Sequence, residues 1–316
     1  MLDSVRRQLR ITTRSLVAEL QQLRAQLGKV DLTTFLAEAG VELEDIYKDS
    51  VGGWTALQRR AGIELAPAAS DEGNIGKRVR MLLHLDDSER LTLLSRLASD
   101  EVTMGLLDIR QRRVATMVLA ALFGESEVLE DLDEAAVRLQ QHPALRSELG
   151  ELAALLDDRA QHLPTTLSDL PEVPLQIHAT YKRNEIAEAF GFAGVTWREG
   201  VRHEKETNSD LLLVTLNKSD KHYTPTTMYR DYVISRDRFH WESQSGTSQR
   251  SKTGRRYLGR ASRPMLFVRF ERDDPYLFIG QGDLESAHGD RPIAITWKLR
   301  TPLPEDVFQA ARRVAG

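Results

Sequence analysis

The chain has 316 residues, with 43 Lys+Arg against 47 Asp+Glu and a net charge of −4. It contains no cysteine, which excludes disulfides, thiolate zinc sites and a cysteine nucleophile. No apolar run reaches membrane-spanning length, and the start, MLDSVRRQLRITTRS, lacks the apolar core of a secretory signal, so a soluble, cytoplasmic protein with no membrane partner is expected.

Residues 1–28 predict a helix: Leu2, Val5, Leu9, Leu16, Leu20, Leu23 and Leu27 recur at three- and four-residue steps, and Gly28 suits a C-cap. Short helices are expected at Leu32–Ala39, Leu43–Tyr47 and Trp54–Ala61. Residues 66–74 (APAASDEGN) form turns. The helical period resumes at Ile75. Asp87 or Ser88 caps a helix carrying Leu91, Leu94 and Leu97. Residues 114–123 (VATMVLAALF) predict a buried helix, 127–141 an amphipathic one, and Pro143 opens the last.

Residues 162–174 (HLPTTLSDLPEVP) hold three prolines and no clear period, and read as a linker. Beyond it the pattern changes. Leu175–Thr180, Leu211–Leu216, Tyr232–Ser235, Phe239–Ser243, Met265–Phe270, Tyr276–Ile279 and Ile293–Leu299 predict strands, and the run LLLVTL predicts one buried on both faces. Helices are expected at Lys182–Phe190 and Pro304–Val314. The fold class is therefore α+β: a helical domain (1–161), a linker (162–174), and a β-rich recognition domain (175–316) built on a curved sheet or partial barrel.

Charge separates the two halves. Residues 1–175 carry 20 Lys+Arg and 29 Asp+Glu, while residues 176–316 carry 23 and 18. Of 20 aromatics, 16 follow residue 175. The second half is the better match for an anionic partner.

Its densest stretch is 223–260. Tyr223, Tyr229, Tyr232, Phe239 and Trp241 fall within nineteen residues. Ser243, Gln244, Ser245 and Thr247 follow. No acid occurs from Ser243 to Phe270, but seven bases do: Arg250, Lys252, Arg255, Arg256, Arg260, Arg263 and Arg269. Rings that stack on a base, polar groups that read its edge and cations for phosphate are the parts of a nucleic-acid site. Phe239 and Trp241 alternate on a strand, so the structural role of core packing competes for them. Lys252, Arg255 and Arg256 beside Gly254 predict an exposed basic loop.

Other chemistries fare worse. His203-x-Lys205 with Asp210 has the spacing of phospholipase-D-type phosphodiesterases, in which the histidine attacks phosphorus. That superfamily uses two such motifs and the chain has one, with Glu204 and Glu206 flanking the lysine. The eight histidines show no metal-ligand spacing. No phosphate-binding loop and no dinucleotide fingerprint occur, so no metal or other cofactor is expected.

Several ordered motifs carry a resemblance: KETNSDLLLVTLNKSDKHYTPTTMYRDYVIS from Lys205, FHWESQSGTS from Phe239, then RYL, LFVRF and PLP. They resemble a domain of unknown function at the C-terminus of bacterial superfamily II helicases, found also in SauUSI-like type IV modification-dependent restriction enzymes. IGKRVRMLLHLDDSERL in the helical half resembles, more loosely, the segment before that domain. The helicase motor and nuclease of those enzymes have no counterpart here.

The resemblance implies an SRA-like reader of modified double-stranded DNA that flips out 5-methylcytosine and serves restriction or phage defence. It also implies a helicase or nuclease as a partner, and no catalysis by this chain. It points to the region, and residue chemistry supplies the roles expected within it. Tyr223, Tyr229, Tyr232 and Trp241 would stack on the base. Asp231 or Gln244 would accept from the cytosine amino group, with His240, Ser243 and Ser245 on the remaining edge. Arg250, Lys252, Arg255 and Arg256 would hold phosphate. The alternatives are a phosphodiesterase using His203 and Lys205, and a protein-interaction module.

Overall fold

The computed structural model describes residues 11–160, 162, 165–217 and 231–315. The chain divides into two compact units, residues 1–160 and 161–316.

The first unit is helical. Helix α1 (Thr13–Leu27) starts from a reciprocal cap in which Ser15 N donates to Thr12 Oγ1 and Thr12 N donates to Ser15 Oγ. Then come α2 (Leu32–Ala39), α3 (Leu43–Ile46), α4 (Trp54–Arg60) and α5 (Glu72–Arg78). The turn expected over 66–74 gives way early to α5, because the buried Glu72 holds the Arg59 guanidinium. Asp87 caps α6 (Ser88–Ala98). In α7 (Ile109–Phe123) every residue from Val114 to Phe123 is buried, as the apolar run requires. The amphipathic stretch that follows is two helices, α8 (Glu125–Glu130) and α9 (Leu132–Gln140), broken where Asp131 takes an extended conformation and caps the second.

Helix α10 (Pro143–Arg159) ties this unit together. Glu148 is fully buried and accepts from Trp54 N and Thr55 N, both at 2.9 Å, closing the N-terminus of α4. One turn on, Glu151 accepts from Leu32 N at 2.8 Å and closes α2. Two carboxylates on one helix thus satisfy orphan donors of two others.

In the second unit, β1 (Thr165–Thr166) pairs antiparallel with β2 (Gln176–Ile177), and Leu167, Leu170 and Val173 between them are buried. The stretch expected as a linker therefore falls in this unit: Leu167 and Leu170 bury although the prolines suppress a period. His178, at φ +73°, separates β2 from β3 (Thr180–Tyr181). Next come α11 (Arg183–Ala189), β4 (Val201–Glu204), β5 (Ser209–Thr215), β6 (Tyr232–Ser235) and β7 (Arg238–Glu242). The rest is α12 (Lys252–Leu258), β8 (Arg263–Arg269), β9 (Tyr276–His288), β10 (Ala294–Leu299) and α13 (Glu305–Ala315).

Strands β3 to β10 form one mixed sheet in the order β4-β5-β8-β9-β10-β7-β6, with β3 also on β9, and β1 and β2 form a two-stranded sheet of their own. Among the described residues only the β5–β8 pairing is parallel, and all seven residues of β5 are buried. Strand β9 joins the two halves. Its first part pairs with β8 and its second with β10, and Gly280, near the end of the first part, sits at φ +91°. One sheet face packs Leu212, Phe239, Trp241, Ile295 and Trp297 against Tyr257 of α12 and Val307, Phe308 and Ala311 of α13. The α+β class read from the sequence is the observed one. No described helix is long and apolar enough to cross a membrane.

Candidate nucleic-acid interface

Strand β7 sorts the expected site residues by its period of two. Phe239 and Trp241 point into the core, where Trp241 is 4% exposed and meets Tyr257 edge to face at 5.4 Å. Trp241 is a core ring, so the stacking role expected for it is not one its position allows. His240 points to the opposite face.

There Tyr232 of the neighbouring edge strand lies on the His240 ring, with centroids 4.7 Å apart and planes at 27°. The two are direct cross-strand partners. Tyr232 stays 39% exposed and His240 is buried beneath it. On the other side of His240 is His288 of β9, at 6.4 Å. Burial holds the His240 pKa below the ordinary imidazole value, opposed by Glu242 and Asp231 and assisted by His288. The ring under Tyr232 is accordingly neutral at neutral pH. Residue chemistry alone missed His288, because β9 runs nine residues past the expected end of its strand at Ile279. The alternation of Asp283 and Glu285 with Gly282 and Leu284 was the available signal.

Next to this row of rings lies the polar loop 243–251. Ser243 is buried and continues the ladder, exchanging bonds with Ile293: Ser243 N donates to Ile293 O, and Ser243 Oγ accepts from Ile293 N, each at 2.9 Å. It supports the backbone rather than a base edge. Asp231 Oδ1 accepts from Glu242 N at 3.0 Å. Gln244 and Ser245 are exposed at the turn. Gln249 pins the loop to the residues after His288, donating from its backbone to Asp290 Oδ1 and from its side chain to Gly289 O, both at 2.7 Å. This contact ties the loop that carries Arg250 to the residue after His288. Tyr223 and Tyr229 lie outside the described residues.

The basic run 252–256 is a helix, not the expected open loop. Ser251 caps α12 by accepting from Gly254 N at 3.0 Å. Gly254 packs so tightly that a Cβ would stand 2.0 Å from Ser248 O. A basic, glycine-containing segment reads as loop from composition, but the absence of a side chain at 254 is what lets this helix dock.

Helix docking also divides the cations. Arg256 turns inward: Nη2 donates to Asp210 Oδ1 at 2.7 Å and Nε to Asp210 Oδ2 at 2.9 Å. Asp210 is fully buried, also accepts from Ser262 Oγ, and has His203 Nδ1 3.2 Å away. Arg256 is thus committed to a buried carboxylate, and the phosphate contact expected of it is already occupied. Arg263 donates to Thr207 O and Arg269 to Thr215 Oγ1. Among the described residues, Arg250, Lys252 and Arg255 are exposed and their side chains meet no acceptor. At the other end of the same face, Lys298 and Arg238 are neutralised by Asp237 and Glu285, with the Asp237 carboxyl drawn down to about 2, chiefly by Lys298.

His203 and Asp210 of the H-x-K-x4-D motif face each other across the β4–β5 hairpin. Lys205 lies in its turn. Glu204 folds back to accept from Glu206 N and Thr207 N. No cluster of metal-ligating side chains occurs among the described residues.

The fold and site define an α+β module with an aromatic–histidine row on one face of a mixed sheet and a basic helix docked on the other. Residues 175–311 match the family model described as a domain of unknown function (DUF3427). No curated protein matches the chain.

Proposed function

We propose that the sheet unit is a non-catalytic, sequence-tolerant reader of modified double-stranded DNA, with 5-methylcytosine as its target. The observation that carries this reading is the row from Tyr232 through His240 to His288, with the loop that bears Arg250 tied to Gly289 by Gln249; Lys252 and Arg255 follow on α12. Flipping a base costs a few kcal/mol, and stacking on a ring returns roughly 1–3 kcal/mol. Tyr232 offers such a ring, supported from below by a neutral histidine. Gln244 and Asp231 would pair with a base edge, and Arg250, Lys252 and Arg255 would follow the phosphates. The choice of methylated cytosine, and the link to type IV restriction or phage defence, rest on the resemblance to the reader domain of SauUSI-like enzymes. The acidic helical unit, which repels phosphate, would serve contacts to a helicase or nuclease partner.

A phosphodiesterase centred on His203 and Lys205 is the weaker reading. The 3.2 Å approach of His203 to Asp210 favours it, but that carboxylate already holds Arg256 and Ser262.

The reading is tested by duplex titrations of Tyr232→Ala and of the triple variant Arg250→Gln/Lys252→Gln/Arg255→Gln. The first is expected to lose preference for methylated DNA. The second is expected to lose affinity for both duplexes and to flatten the salt dependence. Unchanged binding by both variants would refute the site.

A further inference from the structure

Strand β4, at the sheet edge opposite β6, stands beside a second group of rings and cations. Phe192 and Trp197, from the loop between α11 and β4, meet edge to face with centroids 5.6 Å apart. Arg202 of β4 lies over Phe192, its Cζ 4.0 Å from the ring centroid. Arg183 lies over Trp197 at 5.2 Å and fixes the loop from within, donating to Trp197 O at 3.2 Å, Glu199 O at 2.8 Å and Tyr276 Oη at 3.3 Å.

Arg183 is fully accounted for by these bonds, but Arg202 is not. Among the described residues the Arg202 guanidinium meets no carboxylate, and its Nε is screened from solvent without an acceptor. Trp197 is only 7% exposed, and its Nε1 also lacks an acceptor. Buried donors are ordinarily satisfied. Both of these donors are closed off from solvent, so a ligand would reach the guanidinium through its terminal nitrogens, which meet no acceptor among the described residues. A guanidinium seated on a ring keeps its fork free in a fixed orientation, which suits two oxygens of one phosphate. The nearest acid on the same strand does not oppose this, since Glu204 is closed on the backbone of its own turn.

We propose that Arg202, seated on Phe192 and beside Trp197, is a second contact for the phosphodiester backbone of DNA, at the sheet edge opposite Tyr232. The proposal rests on the reading of the sheet unit as a DNA binder, and it assigns to Arg202 a backbone contact rather than a base contact.

The test uses the full chain, with methylated and plain duplexes titrated over a series of salt concentrations. Arg202→Gln is expected to weaken both duplexes by the same factor and to leave the methyl preference intact. It should lower the log–log salt slope by about 1, the amount one phosphate contact contributes. Arg202→Lys keeps the charge and should restore the slope while recovering only part of the affinity. It carries the test if the Gln variant unfolds at lower temperature than the wild type. Two results would overturn the proposal in a chain that binds DNA: wild-type affinity and slope for Arg202→Gln, or a loss confined to the methylated duplex. If the wild type binds neither duplex at any salt, the DNA reading itself fails, and that outcome is distinct from a silent Arg202.

Discussion

The carboxylate of Asp210 is fully buried and holds the guanidinium of Arg256 through contacts of 2.7 to 3.0 Å. This pair fastens α12, with Lys252 and Arg255 on its exposed side, to strand β5. Breaking a buried pair leaves one charge uncompensated and costs about 3–5 kcal/mol. Asp210→Ala should therefore lower the stability of the sheet unit by that order in urea unfolding. Arg256→Met should cost less when combined with Asp210→Ala than the two changes cost separately. Additive losses would show that the pair is not the fastening.

Gly254 tests the same helix from its other side. Alanine there would put a Cβ 2.0 Å from Ser248 O, so the helix or the loop must move. Gly254→Ala is expected to destabilise by more than the ~1 kcal/mol that glycine-to-alanine changes gain in an open helix, and with the opposite sign. Thermal unfolding measures it. A variant as stable as the wild type would contradict the docked position of α12.

Two rings close in sequence should behave differently. Trp241→Ala removes a core ring and should cost about 3–5 kcal/mol of stability. Tyr232→Ala removes a half-exposed ring and should leave stability nearly unchanged, while costing roughly 1–3 kcal/mol of affinity for a flipped base. Paired unfolding and binding curves separate the two. A large stability loss at Tyr232 would return it to a structural role.

Glu148 gives the helical unit a pH signature. Burial raises its pKa above the ordinary 4.5, opposed by hydrogen bonds from Thr55 and Trp54. The folded state thus holds this proton more tightly than the unfolded state does. The contribution of Glu148 is most favourable below about pH 4.5 and declines as pH rises through the raised folded value. The stability gap between the wild type and Glu148→Gln should accordingly widen as pH falls from 7 towards 4.5. Amide hydrogen exchange at Trp54 and Thr55 reports it locally. A gap independent of pH would mean that the carboxylate titrates normally.

Much of the fold was legible because it follows period and caps. From Leu16 on, the leucine steps of α1 lie where the pattern puts them, as do those of α10, the apolar run of α7 and the LLLVTL strand; the helix expected from residue 1 starts at Thr13, where Thr12 is extended and caps it, and Leu2, Val5 and Leu9 lie outside the described residues. The site was less legible, because charge in a sequence does not reveal which partner takes it. Arg256 and Arg255 are neighbours, yet one faces a buried aspartate forty-six residues away in the chain and the other faces solvent. The alternation at Phe239 and Trp241 did signal a core face, although Trp241 was expected to stack on a base. His288 and the Phe192–Arg202 contact depend on strand order, which no local pattern discloses.

The most direct test is a binding titration of the full chain with matched duplexes, unmodified against 5-methylcytosine, at two salt concentrations and without metal. The account predicts tighter binding to the methylated duplex at both salts, with the absolute affinities falling together as salt rises. Equal affinity for the two duplexes, with a strong salt dependence, would reduce the sheet unit to a general backbone binder and contradict its assignment as a reader.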